Sequence, residues 1–346
     1  MNFDLPTEAT DAAGLAATIL ADHCTPARLR EVDALEERID RSLWAALGEA
    51  GLLGLAVPED AGGAGLGLLE VAAVLVEAGR AVAPVPIGTH AVAAMTLAEV
   101  GDSHVRETWL PRAASGEALL TAAVDRDRAG SFSVVQAGTA ADAFVLPTPD
   151  RSGLVLLTPD APGVRIEPQR ITDGDLAARI TVDADAFDDR PTLGGPEAVD
   201  RLADRLAVAE VAHQVGVVDG ALALTAQYAR SREQFGRPIG TFQAVSQRLA
   251  DGYIDVLGAR LVLWQAAWRL SESLPATVEI AAARMWAADA GHRLAHTAVH
   301  VHGGVGIDLD GETHRYFTAA KCSEFLLGGS TAAARRIGAE LAASGA

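Results

Sequence analysis

The sequence predicts an α+β chain in which a helical N-terminal domain, a short β domain and a C-terminal helical bundle follow one another. Apolar residues recur every three or four positions over 33–117, a two-residue alternation takes over within 119–195, and the helical period returns after Pro196. The expected domain boundaries are therefore 1–118, 119–195 and 196–346.

In the first segment Leu43, Leu47 and Leu52, and then Val71, Val74, Leu75 and Ala78, mark the inward faces of helices. GLLGLAVPEDAGGAGLGLLE interrupts them, and Pro58 with Gly62-Gly63 predicts a turn between helices. In the middle segment Val164 and Ile166 alternate with Arg165 and Glu167, and Ile180 and Val182 with Arg179, Thr181 and Asp183, as strands require. Pro147, Pro149, Pro159, Pro162 and Pro168 cut this region into the short pieces of an antiparallel β unit. After Pro196, Val245, Leu249, Tyr253, Val256 and Leu263 predict one apolar stripe, and Leu294 and Ala298 end another. HVHGGVG then stops that helix, and a last helix is expected to start near Ser330, an N-cap following Gly328-Gly329.

The chain has 346 residues, 49% hydrophobic and 21% charged, the profile of a folded protein with a sizeable core. Its formal charge of −18 excludes a general affinity for nucleic acid, whose phosphates need basic surface. Cys24 and Cys322 are too few for a disulfide framework or a four-sulfur metal site and suggest a reducing compartment. MNFDLPTEATDAAG carries acidic residues where a secretory signal is basic, and no later run is expected to reach the roughly 20 apolar residues of a bilayer span. These features predict a cytoplasmic, soluble protein with neither a nucleic-acid nor a membrane partner.

Against the acidic background, YARSREQFGRPIG (228–240) concentrates Arg230, Arg232 and Arg237. A guanidinium fork suits phosphate, because it offers two parallel charge-assisted hydrogen bonds at any cellular pH. Arginines also gather at solvated helix ends, beside the negative pole of the helix dipole, and the stretch alone fits either reading. HVHGGVG (300–306) is similarly double: paired glycines let backbone amides approach an anion, and glycine is also an ordinary helix stop. His300 and His302 are two apart, so on a helix they face different directions, and with no third ligand nearby no metal site is expected.

Taken in order, three segments resemble signatures of the acyl-CoA dehydrogenase family: GLLGLAVPEDAGGAGLGLLEVAAVLVEAGRAVAPVP, YARSREQFGRPIGTFQAVSQRLAD, and HVHGGVGI followed by RYFTAAK. The resemblance implies an N-terminal helical domain, a middle β domain and a C-terminal four-helix bundle, assembled as a dimer of dimers. It implies FAD as cofactor, an acyl-CoA thioester as substrate, α,β-dehydrogenation as the reaction and an electron-transfer flavoprotein as acceptor. By the same resemblance Arg232, Phe235, Gln243, Gly303 and Gly304 hold the diphosphate and adenine end of FAD across a subunit interface, with His300 in place of the usual glutamine. Imidazole can still donate one hydrogen bond and accept another.

Two departures from the family pattern sharpen the expectation. The middle segment runs through DRDRAGSFSVVQAGTAADAFVLP without the threonine-containing loop and the tryptophan segment that cover the flavin ring in relatives, and it is shortened. Gly328 stands where the catalytic glutamate is expected, and glycine cannot take a proton; at the alternative place used by some relatives the residue is Leu206. Glu210, one turn further along, and Glu324, one turn before Gly328, are the nearest substitutes, each with a solvated or paired carboxylate as its alternative role.

What is retained serves the adenosine end of a flavin held by another subunit; what is missing serves the chain's own flavin ring. The resemblance thus narrows to the short partner subunit of heterotetrameric α2β2 acyl-CoA dehydrogenases of actinobacterial steroid side-chain degradation, with base and ring pocket on a sibling chain. The alternatives are an autonomous enzyme with a relocated base, and a non-catalytic subunit that stabilises its sibling or binds acyl-CoA.

Overall fold

The computed structural model describes residues 4–124, 130–188 and 190–344. Helices begin earlier than the apolar period suggests, with α1 (Thr7–His23) and α2 (Pro26–Asp33) ahead of α3 (Arg41–Glu49). The inward face of α1 is Ala9, Ala12, Ala16 and Leu20, mostly alanine, so it lacks the bulky repeat by which amphipathic helices are recognised. Asp40 caps α3, accepting from the amides of Ser42 at 3.0 Å and Leu43 at 3.2 Å. Pro58 and a left-handed Gly62 make the expected turn before α4 (Leu68–Arg80), and Leu43, Leu47, Leu52, Val71, Val74, Leu75 and Ala78 are all buried. α5 (Ile87–Val100) and α6 (Ser103–Ser115) complete this segment.

Among the described residues the middle segment forms two three-stranded sheets. In one, β2 (Ser131–Val135), β6 (Leu176–Val182) and β5 (Val164–Arg170) are antiparallel in the order β2-β6-β5. In the other, β3 (Ala143–Pro147) pairs antiparallel with β4 (Leu154–Leu157) but parallel with β1 (Leu120–Ala122), a departure from the purely antiparallel expectation. Parallel neighbours need a crossover, and β2, which belongs to the other sheet, lies within that connection. Pro168 sits in β5, an edge strand, where a missing amide interrupts no central ladder.

A short α7 (Ala184–Asp188) precedes the long helices α8 (Pro196–Ser231), α9 (Gln243–Ser271) and α10 (Thr277–His302), then α11 (Thr313–Leu326) and α12 (Gly329–Ser344). The last helix thus starts one residue before Ser330. α10 packs against α9, α11 and α12. Fully buried Gln214 on α8 donates its Nε2 to the carbonyls of Ala287 at 3.4 Å and Ala320 at 3.2 Å, tying α8 to both α10 and α11.

The predicted stripe on α9 holds at Val256 and Leu263, which are buried, but Tyr253 is 58% exposed. The inward place on that turn belongs to buried Gly252, whose missing side chain leaves room for the tip of Leu294 on α10, 2.6 Å from where a Cβ would lie. Tyr253 instead joins Ile254, Leu257 and Leu261 in an outward-facing apolar row.

Two compact units result. One comprises Met1–Arg30, Ala72–Ala83 and Glu210–Ala346, the other Glu31–Val71 and Pro84–Ala209. In the second unit His90 on α5 is fully buried; its Nε2–H donates to the Ala113 carbonyl at 3.1 Å and its Nδ1 accepts the Leu120 amide at 3.1 Å. Burial pushes its pKa down to about 4, so the imidazole is neutral and links α5 to α6 and β1. One expectation needs correcting: α8 is long and apolar enough to cross a bilayer, with a window of mean hydropathy 1.3. That window is 67% buried within the fold, as in the core helix of a folded protein.

Candidate cofactor site

α8 ends at Ser231, and the Arg232 amide donates to the Tyr228 carbonyl at 2.8 Å, closing the last turn. A minimal hairpin follows. β7 (Glu233–Gln234) pairs with β8 (Arg237–Pro238), and Phe235 and Gly236 form the two-residue turn between them, at φ 53° and 75°. Positive φ at both central residues defines a type I′ turn, for which asparagine or aspartate followed by glycine is preferred. A phenylalanine there is held in the left-handed region, yet its ring is 92% exposed and gains little from burial. The Ile239 amide closes the hairpin on the Arg232 carbonyl at 2.8 Å.

Arg232 is exposed and makes no side-chain ion pair or hydrogen bond among the described residues. The guanidinium of Arg237 lies 4.2 Å from the centre of the Phe242 ring, and Phe235 meets the same ring edge-on at 6.1 Å. Gln243, also exposed, is the first residue of α9. The arginine stretch is thus a solvated helix end that also carries an aromatic and cationic surface with few internal partners.

α10 ends at His302, and Gly303 follows at φ 65°, ψ −139°, a backbone conformation open essentially to glycine alone. A Cβ at Gly303 or Gly304 would meet nothing within 4 Å, so this backbone faces open space. His300 is exposed and His302 buried, so the two histidines face different ways as their spacing requires. The His302 ring stacks on Tyr228 at 4.2 Å with 23° between planes, joining the end of α10 to the end of α8. This contact was not among the predicted site residues; the only sequence signal for it is an aromatic in the last turn of each helix.

The base candidates lie elsewhere on the same unit. Gly328 has φ 75° and Gly329 φ 71°, making the sharp link from α11 to α12. Arg284 clamps that link, donating Nη2 to the Leu327 carbonyl at 2.7 Å. Leu206 lies on α8 and is partly buried. The Glu210 carboxylate accepts a 2.5 Å hydrogen bond from Ser323, which is buried. Glu324 points to other partners: its Oε2 is 2.5 Å from Lys321 Nζ and 3.3 Å from His292 Nδ1. Beside them, burial and then the neighbouring His292 and Lys321 hold His296 below its ordinary pKa. The structure therefore brings the end of α8, which Arg232 follows, against His302 just before Gly303 through the Tyr228 ring, and shows both spare carboxylates already engaged by neighbours.

With the helical, β and helical segments in this order, the fold is that of the flavin-dependent acyl-CoA dehydrogenases. The model of the acyl-CoA dehydrogenase N-terminal domain matches residues 7–117 and that of the C-terminal domain residues 201–342. Acyl-CoA dehydrogenase FadE27 of Mycobacterium tuberculosis is 43% identical over 99% of each chain. In the solved ChsE4–ChsE5 complex from Mycobacterium tuberculosis, a chain with 43% identity superposes with a TM-score of 0.92 over 99% of each chain. A variant of the Tcur3481–Tcur3483 steroid ACAD gives 40% identity and a TM-score of 0.89 over 98% of each. The chain belongs to the acyl-CoA dehydrogenase family, oxidoreductases whose cofactor is FAD.

Proposed function

We propose that this chain is one subunit of a heteromeric acyl-CoA dehydrogenase, completing from its own surface the adenosine-diphosphate end of a FAD site whose flavin-ring pocket and catalytic base belong to a sibling chain. One observation carries this reading: the groups suited to a diphosphate are exposed and uncommitted, while Gly328, which the resemblance puts at the place of the base, is a left-handed glycine. Arg232 offers a guanidinium fork without an internal carboxylate, and Gly303 and Gly304 leave their backbone open to close approach.

The residues present fit one end of the cofactor. Arg232, Phe235, Gln243, His300, Gly303 and Gly304 would hold its diphosphate and adenine by charge-assisted hydrogen bonds, backbone amides and ring contact. FAD, when bound, supplies the hydride acceptor for α,β-dehydrogenation of an acyl-CoA. This chain's residues orient that cofactor and exclude water from its outer end, and they move no proton.

The reading takes its partner from the resemblance to complexes such as ChsE4–ChsE5, and its substrate class, a steroid-derived acyl-CoA, from the steroid ACAD relative. An α2β2 assembly, cytoplasmic residence, an electron-transfer flavoprotein as acceptor and domain limits at 1–118, 119–195 and 196–346 belong to the same proposal. The test is co-expression with the sibling chain. The purified complex should be yellow, with half as many flavins as chains, and Arg232→Ala should lower that content. Full flavin loading of this chain alone, or undiminished turnover by the sibling alone, refutes the proposal.

A further inference from the structure

We infer that Tyr228 and His302 are positioning residues for the cofactor, their stacked rings setting the arginine hairpin in register with the glycine loop. The inference rests on the reading above and concerns how its two loops are held together. Each ring sits next to the element it would control. Tyr228 is one helical turn before Arg232 and accepts that residue's amide on its own carbonyl at 2.8 Å, while the Ser231 hydroxyl reaches the same carbonyl at 3.2 Å. His302 is the residue immediately before Gly303.

The His302 ring is itself fixed at both edges of its freedom. Its Nδ1 lies 2.8 Å from the Ala298 carbonyl one turn back, so Nδ1 carries a proton and donates, which sets the ring's rotation. Its face then lies on Tyr228, 4.2 Å away, and only 7% of the residue is exposed. Gly306 folds back against it, close enough that an added Cβ would lie 3.1 Å from the Cβ of His302. The glycine loop therefore leaves α10 from a residue whose ring is held by a hydrogen bond on its own helix and lies face to face with Tyr228 at the end of α8.

A diphosphate gripped at once by a guanidinium and by backbone amides needs both sets of donors placed to within about 0.5 Å. Among the described residues no hydrogen bond joins the Arg232 side chain to Gly303 or Gly304 to supply that accuracy. The ring pair links their parent helices close to both loops.

The test uses the co-expressed complex, stripped of flavin and titrated with FAD, in His302→Leu, His302→Phe, Tyr228→Leu and Tyr228→Phe forms beside Arg232→Ala. Leucine removes the planar ring and with it the stack, whereas phenylalanine keeps a ring to stack, at 302 without the Nδ1 hydrogen bond to the Ala298 carbonyl. The leucine variants should bind FAD about tenfold more weakly, with the thermal midpoint of the flavin-free complex within about 2 °C of wild type, and the phenylalanine variants should recover most of the affinity. A role in packing alone would make leucine and phenylalanine equivalent in FAD affinity, and that result overturns the inference. So does unchanged affinity in both leucine variants. If Arg232→Ala weakens FAD while the leucine variants do not, the inference fails and the proposed function stands. If none of them weakens it, the proposed function has failed first. Should a leucine variant at either position not assemble, the other position decides by the same comparison.

Discussion

The Ser323 hydroxyl donates a 2.5 Å hydrogen bond to the carboxylate of Glu210, joining α11 to α8 on the side of the bundle that leads to Gly328. A general base must be within reach of the proton it takes, and its loss lowers a rate by about 100-fold to 10,000-fold. Glu210 is engaged by a buried serine, and Glu324 by Lys321 and His292. Glu210→Gln and Glu324→Gln in the co-expressed complex should therefore leave turnover within about twofold of wild type, far from the effect of losing a base. Ser323→Ala should cost about 2 kcal/mol in urea unfolding, since it removes a charge-assisted hydrogen bond. A hundredfold loss in either glutamate variant would identify a relocated base and an autonomous active site.

Phe235 carries a cost without an internal return. It occupies a type I′ turn at φ 53°, and its ring is 92% exposed. Phe235→Asn places the preferred Asn-Gly pair at that turn. The isolated chain should gain about 0.5–1 kcal/mol in urea unfolding, because the left-handed strain is relieved. Under the proposed function, in which the exposed ring meets the cofactor across the interface, the same substitution in the complex should reduce flavin content. A variant that is stabilised and fully flavinated would show that the ring has no such role.

The order of helices and strands was legible because each segment repeats its own period for long enough to be read. Val71, Val74, Leu75 and Ala78, and again Ile180 and Val182, are buried where that period puts them. α1 was not legible, since its buried face is built mostly of alanine, and Tyr253 was misplaced because Gly252 takes the inward position. The same division holds at the site. Arg232, Phe235 and the glycine pair are contiguous motifs, so their presence can be read directly from the chain. The stack of Tyr228 on His302 joins the ends of two helices far apart in sequence and only packing reveals it. The sequence also names Glu210 and Glu324 as carboxylates but contains nothing local about Ser323 or Lys321 as their partners.

Glycines supply a further check on the packing of α4 and α8. An added Cβ at Gly79 would collide with the His213 carbonyl, and one at Gly216 with the carbonyl of Val76, all within one unit. Gly79→Ala must push these helices apart and should cost about 2–3 kcal/mol. Gly14 on α1 has nothing within 4 Å of its added Cβ and no left-handed backbone. There alanine should instead stabilise by about 0.5–1 kcal/mol, through the lower entropy of the unfolded chain. Urea midpoints of the two variants, moving in opposite directions from wild type, are the expected outcome; equal shifts would contradict the close helix contact.

His90 sets a pH dependence with a definite sign. Its pKa is lowered to about 4 by burial, while in the unfolded chain it returns to about 6.5. Between these values the unfolded chain binds a proton that the folded one does not, so unfolding is favoured as pH falls from about 6.5 towards 4. Above pH 6.5 the contribution is fully present, and below 4 both states are protonated and it has been lost. The shift corresponds to on the order of 3 kcal/mol over that window. His90→Gln keeps a donor and an acceptor for the Ala113 carbonyl and the Leu120 amide but does not titrate. The stability difference between wild type and His90→Gln, measured by urea unfolding at pH 7 and pH 5, should therefore shrink in the acid sample, because only wild type loses this contribution. A difference that stays constant with pH would mean that His90 is protonated within the fold, contrary to its burial beside the edge of Trp44, 4.9 Å away.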